Sequence, residues 1–93
     1  MGPYYYPQVG EACENSLIEQ VIKVAEELDE LYAEAAEEQV DWIRLAGELH
    51  DVAQALDGVF RKVPETVLGK AYAECISKNS RRGYYACFGE EEE

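Results

Sequence analysis

The stretch LIEQVIKVAEELDELYAEA, residues 17–35, decides the fold of this chain. Its apolar residues recur at steps of three and four, which is the period of one face of an α-helix. The stripe consists of Leu17, Val21, Val24, Leu28, Leu31, Tyr32 and Ala35. We predict a helix that begins near Glu11 and runs to about Glu38, with Ser16 and Glu19 as a capping box if the regular helix starts later.

Two further amphipathic helices follow this one. A second apolar stripe runs from Val40 to Phe60, and Asp41 is a suitable N-cap for it. Pro64 opens a third helix, because proline is tolerated at the first helical position, and Gly83 is expected to end it. Without a strand pattern, these elements predict an all-α fold, an antiparallel helical bundle of three main helices.

The helices of this short chain cover one another incompletely. Its 93 residues lie near the lower end of what folds around a single core. We therefore expect a homodimer or homotetramer, in which a second copy completes a four-helix core. The expected organisation is an irregular segment at 1–10, a helical domain at 11–83, and an aromatic, then acidic, tail at 84–93.

The chain is strongly acidic, with 20 acidic and 8 basic side chains and a net charge of −12. That charge repels phosphate backbones and argues against a nucleic-acid partner. A phosphorylated small molecule would need a metal ion or a local group of Lys and Arg beside it. With no CxxC spacing and no apolar run of roughly 20 residues, we expect buried thiols at Cys13 and Cys75, no membrane partner and a cytoplasmic location.

Two acidic motifs stand out along the first two helices. Glu26, Glu27 and Glu30 form the pattern EExxE, and Glu48 and Asp51 form ExxD after a gap of seventeen residues. Residues three apart share one face of a helix, so each motif projects a pair of carboxylates, and antiparallel packing would let the pairs face each other. Four converging carboxylates repel one another. Mg²⁺ or Mn²⁺ would relieve that repulsion and keep coordination positions for phosphate and water.

Acid pairs with this spacing also arise by chance in so acidic a chain. Glu34 and Glu37 form one such pair, and a solvated acidic face is the plainer interpretation of the spacing alone. The motifs differ from a solvated face in their position, since Leu28 and Leu49 place them at the border of the apolar stripes. This position favours a metal site.

These motifs resemble a known family. KVAEELDEL, residues 23–31, is similar to the first-helix signature of MazG-type nucleotide pyrophosphohydrolases, which is EExxE, a gap of variable length, then ExxD. ISKNSRRG, residues 76–83, resembles the closing helix of that family, which often has Asn followed by Lys or Arg. The resemblance covers about residues 21–83.

The resemblance implies hydrolysis of a nucleoside triphosphate between its α- and β-phosphates, giving nucleoside monophosphate and pyrophosphate with the help of Mg²⁺. Its positions imply that Glu27, Glu30, Glu48 and Asp51 are the metal ligands. Glu26 matches the first acid of the motif and would orient a ligand or position the attacking water.

Basic residues are candidates for binding the polyphosphate. Lys78, Asn79 and Arg82 cluster with Arg81 near the end of the third helix, where cations also favour the helix dipole and Asn79 can help to end the helix. Lys23 is a further candidate, although it is also spaced to pair with Glu27.

Other functions remain open from the sequence. Phosphoribosyl-ATP pyrophosphatase, an enzyme of histidine synthesis, shares the helical fold and the acidic motifs. A non-catalytic acidic helical module that binds a partner protein is an alternative of a different class, and the twenty acidic residues motivate it.

Overall fold

A computed structural model describes residues 4–85 and contains four helices there. They are α1 (Gly10–Glu14), α2 (Leu17–Ala35), α3 (Trp42–Phe60) and α4 (Glu65–Arg81). Residues 4–85 contain no strand, which confirms the all-α prediction. α1, α2 and α3 belong to one compact unit and α4 to a second, with the boundary between Lys62 and Val63.

The first predicted helix is divided in two. Asn15 and Ser16 are extended, with ψ of 146° and 169°, so α1 ends at Glu14 and α2 starts at Leu17. Ser16 makes the predicted capping box: its Oγ accepts from the Glu19 backbone N–H at 3.2 Å, and its own N–H donates to Glu19 Oε1 at 2.7 Å. The prediction of a helix continuing to Glu38 was wrong, because α2 ends at Ala35.

The other helix ends follow their predicted signals. Asp41 caps α3 by accepting from the backbone N–H groups of Ile43 and Arg44, both at 3.1 Å. Pro64 lies one residue before α4. Gly83 has φ of +78°, and its N–H donates to the Ser80 carbonyl at 3.0 Å. This left-handed glycine terminates α4, as predicted.

α2 and α3 pack as an antiparallel hairpin. Near its open end the Gln20 side chain donates to the Ala55 carbonyl at 3.0 Å, and near its closed end Arg44 pairs with Glu34 at 3.0 Å. The helices meet through small and polar groups. The buried residues are Ala12, Gln20, Glu27, Ala55 and Gly58.

A hydrogen-bond network joins the corner between α1 and α2 to α3. Gln20 is 2 % exposed, and its Oε1 accepts from Asn15 Nδ2 at 2.9 Å while its Nε2 donates to Ala55. Lys62 Nζ donates to the Asn15 carbonyl at 2.6 Å. Gly58 allows this close approach, since a Cβ there would lie 2.8 Å from Gln20 Nε2.

Residues 4–9 have no regular structure and lie against α3, whereas Gly10, the last residue of the predicted irregular segment 1–10, begins α1. A 2.7 Å hydrogen bond joins the Tyr6 hydroxyl to His50 Nδ1, and the Tyr4 ring contacts His50 edge-on with ring centres 4.8 Å apart. Arg61 donates to the Tyr6 carbonyl at 3.0 Å and pairs with Asp57 at 2.7 Å. These contacts fix the segment that precedes α1.

One side of the α2–α3 hairpin is apolar and exposed. Several of its residues directly follow residues that face the other helix, as Leu28 follows Glu27 and Leu49 follows Glu48. Because antiparallel helices turn in opposite senses when viewed along one axis, the two stripes lie on the same side of the hairpin. We define this apolar face as Leu17, Val21, Leu28, Tyr32, Trp42, Leu49, Leu56 and Phe60, which are 38–74 % exposed.

The exposure of the two described cysteines differs from the sequence expectation. Cys13 and Cys75 lie in α1 and α4 and are free thiols, but both are exposed rather than buried. Cys87, Phe88 and the acidic run at 90–93 lie outside the described residues.

Among residues 4–85, no helix combines the length and hydropathy needed to cross a bilayer.

Candidate metal centre

Three of the predicted ligands converge where α2 faces α3. Glu27, Glu48 and Asp51 each offer a carboxylate oxygen, and these oxygens lie within 4.8 Å of one another. Glu27 is 8 % exposed, Glu48 is half-buried and Asp51 is exposed. Glu27 lies seven residues after Gln20 on the buried face of α2, so the packing that buries Gln20 also turns Glu27 toward α3. We call these three residues the carboxylate triad.

The Glu48 carboxylate lies among other acidic side chains. Its Oε1 is buried and has no hydrogen-bond partner among the described residues. Burial raises the pKa of Glu48, and the nearby charges of Glu30, Asp51 and Glu27 raise it further. A buried carboxylate oxygen without a donor is uncommon, and it lies among groups that repel its charge.

One ion pair within residues 4–85 joins a basic residue to the triad. Lys23 Nζ lies 3.3 Å from Glu27 Oε2, one turn earlier on α2. The hydrogen bond with Glu27 and then its charge raise the pKa of Lys23, so the ammonium remains charged. The interpretation of Lys23 as the partner of Glu27 is confirmed, and its role toward substrate stays a prediction.

The two other predicted acids on α2 lie outside the triad. Glu30 is exposed, yet it is close enough to Glu48 to raise the pKa of that carboxyl. Glu26 is also exposed and lines a shallow depression with Lys23 and Glu11, so it lies on a different face of α2 from Glu27. Their predicted roles as fourth ligand and accessory acid stay predictions.

The remaining candidates for substrate binding lie at the end of α4, in the second unit. Asn79 Nδ2 donates to Cys75 Sγ at 3.5 Å, and Arg82 is the C-cap residue of the helix. Lys78 lies in the last turn, where its charge favours the helix dipole. The role of Lys78, Asn79 and Arg82 toward a polyphosphate also stays a prediction.

Comparisons of this chain with protein-family models, with curated proteins and with solved structures found no match. The likeness to MazG-type enzymes therefore rests on the three sequence motifs.

The geometry of the triad fits a small, hard divalent cation. In an octahedral shell with metal–oxygen bonds of about 2.1 Å, neighbouring oxygens are about 3 Å apart and opposite ones about 4.2 Å. A triad spread of up to 4.8 Å therefore needs only small side-chain movements to close around Mg²⁺ or Mn²⁺. The donors are all oxygens, the atoms these cations prefer, and a cation would supply the partner that Glu48 Oε1 lacks.

Sequence reasoning missed two glutamines near the triad. Gln20 anchors α2 on α3, and its heptad spacing from Glu27 was a signal that both belong to one buried face. Gln54 follows Asp51 by three residues and lines the space beside the triad. Nothing in the sequence pattern distinguished Gln54 from a surface residue.

Proposed function

We propose that this protein is a Mg²⁺-dependent nucleoside triphosphate pyrophosphohydrolase, with Mn²⁺ able to replace Mg²⁺. The observation that supports this proposal is the convergence of Glu27, Glu48 and Asp51 within 4.8 Å, with one buried carboxylate oxygen that has no partner among residues 4–85. The family likeness of the motifs supplies the reaction class.

The proposed reaction divides the triphosphate between its α- and β-phosphates. A water oxygen bonds to the α-phosphorus and releases a proton to solvent, the bond from that phosphorus to the bridging oxygen breaks, and pyrophosphate leaves with the electron pair. Glu27, Glu48 and Asp51 would hold the metal with Glu30 as a fourth ligand, and Glu26 would position water. Bound there, Mg²⁺ supplies positive charge to the phosphate oxygens and lowers the pKa of water.

The positive charge of Lys23 beside the triad agrees with this proposal. A polyphosphate approaching a chain of net charge −12 needs local positive charge. Lys23 stands beside Glu27 at 3.3 Å, so metal binding to Glu27 would free its ammonium to contact a phosphate. Lys78, Asn79 and Arg82 are proposed as further phosphate ligands.

We further propose that the active form is a homodimer or homotetramer. The apolar face exposes on the order of 900 Å², given the usual areas of aromatic and aliphatic side chains, and a standard interface buries about 800 Å² per partner. Because this face lies on one side of the hairpin, the same face of a second copy would cover it and complete a four-helix core.

The proposed location is the cytoplasm. Cys13 and Cys75 are both free and exposed, and a reducing compartment preserves exposed thiols.

Release of pyrophosphate tests the proposed activity. Purified protein with Mg²⁺ is incubated with a panel of nucleoside triphosphates and with phosphoribosyl-ATP, and pyrophosphate is measured. We expect turnover in the wild type and loss of turnover in Glu30→Gln and in Asp51→Asn, with helical circular dichroism unchanged. Glu37→Gln is the matched control, since it removes the same charge from the connection between α2 and α3.

Each outcome separates the proposals. Unchanged turnover in Glu30→Gln would remove that residue from the ligand set, and unchanged turnover in Asp51→Asn would refute the metal centre. Turnover confined to phosphoribosyl-ATP would assign the alternative enzymatic function. No turnover on any substrate would favour the non-catalytic module, for which the exposed apolar face offers a surface that could bind a partner protein.

A further inference from the structure

A cavity of about 260 Å³ adjoins the carboxylate triad. Glu27 and Asp51 belong to the triad and also line this cavity. Its other walls come from α1, α2 and α3 and include Val9, Ala12, Lys23 and Gln54. A molecule whose phosphates reach the triad would therefore have this space beside it.

The cavity is too small for a whole nucleotide. Pockets that enclose drug-sized ligands measure roughly 300–1,000 Å³. A cavity of about 260 Å³ takes one ring system of such a ligand, while the rest lies outside it. With the phosphates held at the triad, the part left to fill the cavity is the nucleobase.

Part of the cavity wall suits a nucleobase, beside the charged residues Glu11, Lys23, Glu27 and Asp51. Val9, Ala12 and Ala55 supply apolar surface for the faces of a ring. Gln20 is already bonded to Asn15 and Ala55, whereas the half-buried Gln54 amide has no hydrogen-bond partner within residues 4–85. A glutamine amide offers a donor beside an acceptor, the pair that reads a base edge.

We propose that this cavity binds the nucleobase of the substrate and that Gln54 reads the edge of that base. This inference rests on the proposed pyrophosphohydrolase activity, and it assigns base recognition to Gln54 and to the wall formed by Val9 and α1. The triad and Lys23 hold the phosphates, and the cavity distinguishes nucleotides from inorganic polyphosphate.

Gln54→Met tests the assignment, because methionine keeps the length of the side chain and removes the amide. Steady-state kinetics are measured with ATP, CTP, GTP and UTP, and inorganic triphosphate is titrated as a competitor. We expect the KM for the preferred nucleotide to rise roughly tenfold or more, as for the loss of a paired base contact. The inhibition constant of inorganic triphosphate should not change. Gln39→Met is the matched control, since exposed Gln39 does not line the cavity.

A second variant tests the space itself. Val9→Phe adds bulk to the wall without removing a polar group, and it should raise the KM for every nucleotide while inorganic triphosphate still competes as in the wild type. Wild-type KM values for all four nucleotides in both variants would overturn the cavity proposal and leave the proposed activity standing. Absence of both turnover and nucleotide binding in the wild type would overturn the two proposals together.

Discussion

Replacing Glu48 by glutamine tests the metal centre through stability alone, without any substrate. Glu48 is half-buried among Glu27, Glu30 and Asp51, and its pKa is raised in the folded protein. The folded state therefore binds the Glu48 proton more tightly than the unfolded state does. Stability is lost as the pH rises from the unfolded pKa through the folded one. At neutral pH without metal, Glu48→Gln should melt at a higher temperature than the wild type.

Mg²⁺ should reverse the order of these two melting temperatures, so that the wild type melts at a higher temperature than Glu48→Gln. At free Mg²⁺ a hundredfold above its Kd, binding stabilises the folded state by about 2.7 kcal/mol. For a chain of this size, that is a rise in Tm of about 10–20 °C. If the loss of the Glu48 carboxylate weakens binding roughly a hundredfold, the same Mg²⁺ concentration stabilises the variant by only about 0.4 kcal/mol, or about 2–3 °C.

The assay is thermal melting followed by circular dichroism, over a Mg²⁺ titration at constant ionic strength. Glu37→Gln removes one negative charge outside the triad, so it should keep the full Mg²⁺ shift. A Glu48→Gln variant that melts below the metal-free wild type and retains the full Mg²⁺ shift would refute the assignment of Glu48 to a repulsive, metal-binding cluster.

Three more predictions concern the same unit. Ser16→Ala removes the capping box and should cost about 1 kcal/mol of unfolding free energy, measured by urea denaturation. Gly58→Ala places a Cβ 2.8 Å from Gln20 Nε2 and should destabilise by about 1–3 kcal/mol, whereas Gly47→Ala, in open space on α3, should stabilise by up to about 1 kcal/mol. The Tm of the metal-free wild type should fall as the pH rises above the ordinary Glu pKa of about 4.3, and Glu48→Gln should flatten that decline.

Each of these three predictions has an outcome that would contradict it. Wild-type stability in Ser16→Ala would mean that the break before α2 does not depend on the cap. Equal effects at Gly58 and Gly47 would contradict the close approach of α2 to α3. If the Tm of the wild type and the Tm of Glu48→Gln fell in parallel as the pH rises, Glu48 would not be the group that causes the fall.

The fold was predictable from the sequence because its signals are local. Apolar periodicity defined α2 and α3, and Asp41, Pro64 and Gly83 marked helix ends through backbone chemistry that needs no tertiary context. The break at Asn15 and Ser16 was harder to place. The periodic pattern continues across it, and the extended backbone there is accompanied by a tertiary hydrogen bond, from Lys62 just after α3 to the Asn15 carbonyl.

The site was predictable in part. Spacing of three placed Glu48 and Asp51 on one face, and the antiparallel hairpin brought Glu27 to them. The same spacing grouped Glu30 with Glu27, but Glu30 lies 60° around α2 from it, since three residues turn a helix by about 300°. Which of two such acids faces the partner helix depends on packing, which the sequence spacing does not specify.

The buried amide of Gln20 also has a consequence for how the hairpin is aligned. Sliding α2 along α3 by one helical turn would shift it by about 5.4 Å. Gln20 would then lose the Ala55 carbonyl and keep a buried, unsatisfied amide, and Glu27 would move out of range of Glu48 and Asp51. The Gln20–Ala55 hydrogen bond therefore favours one alignment of the two helices. In that alignment the carboxylates of Glu27, Glu48 and Asp51 meet.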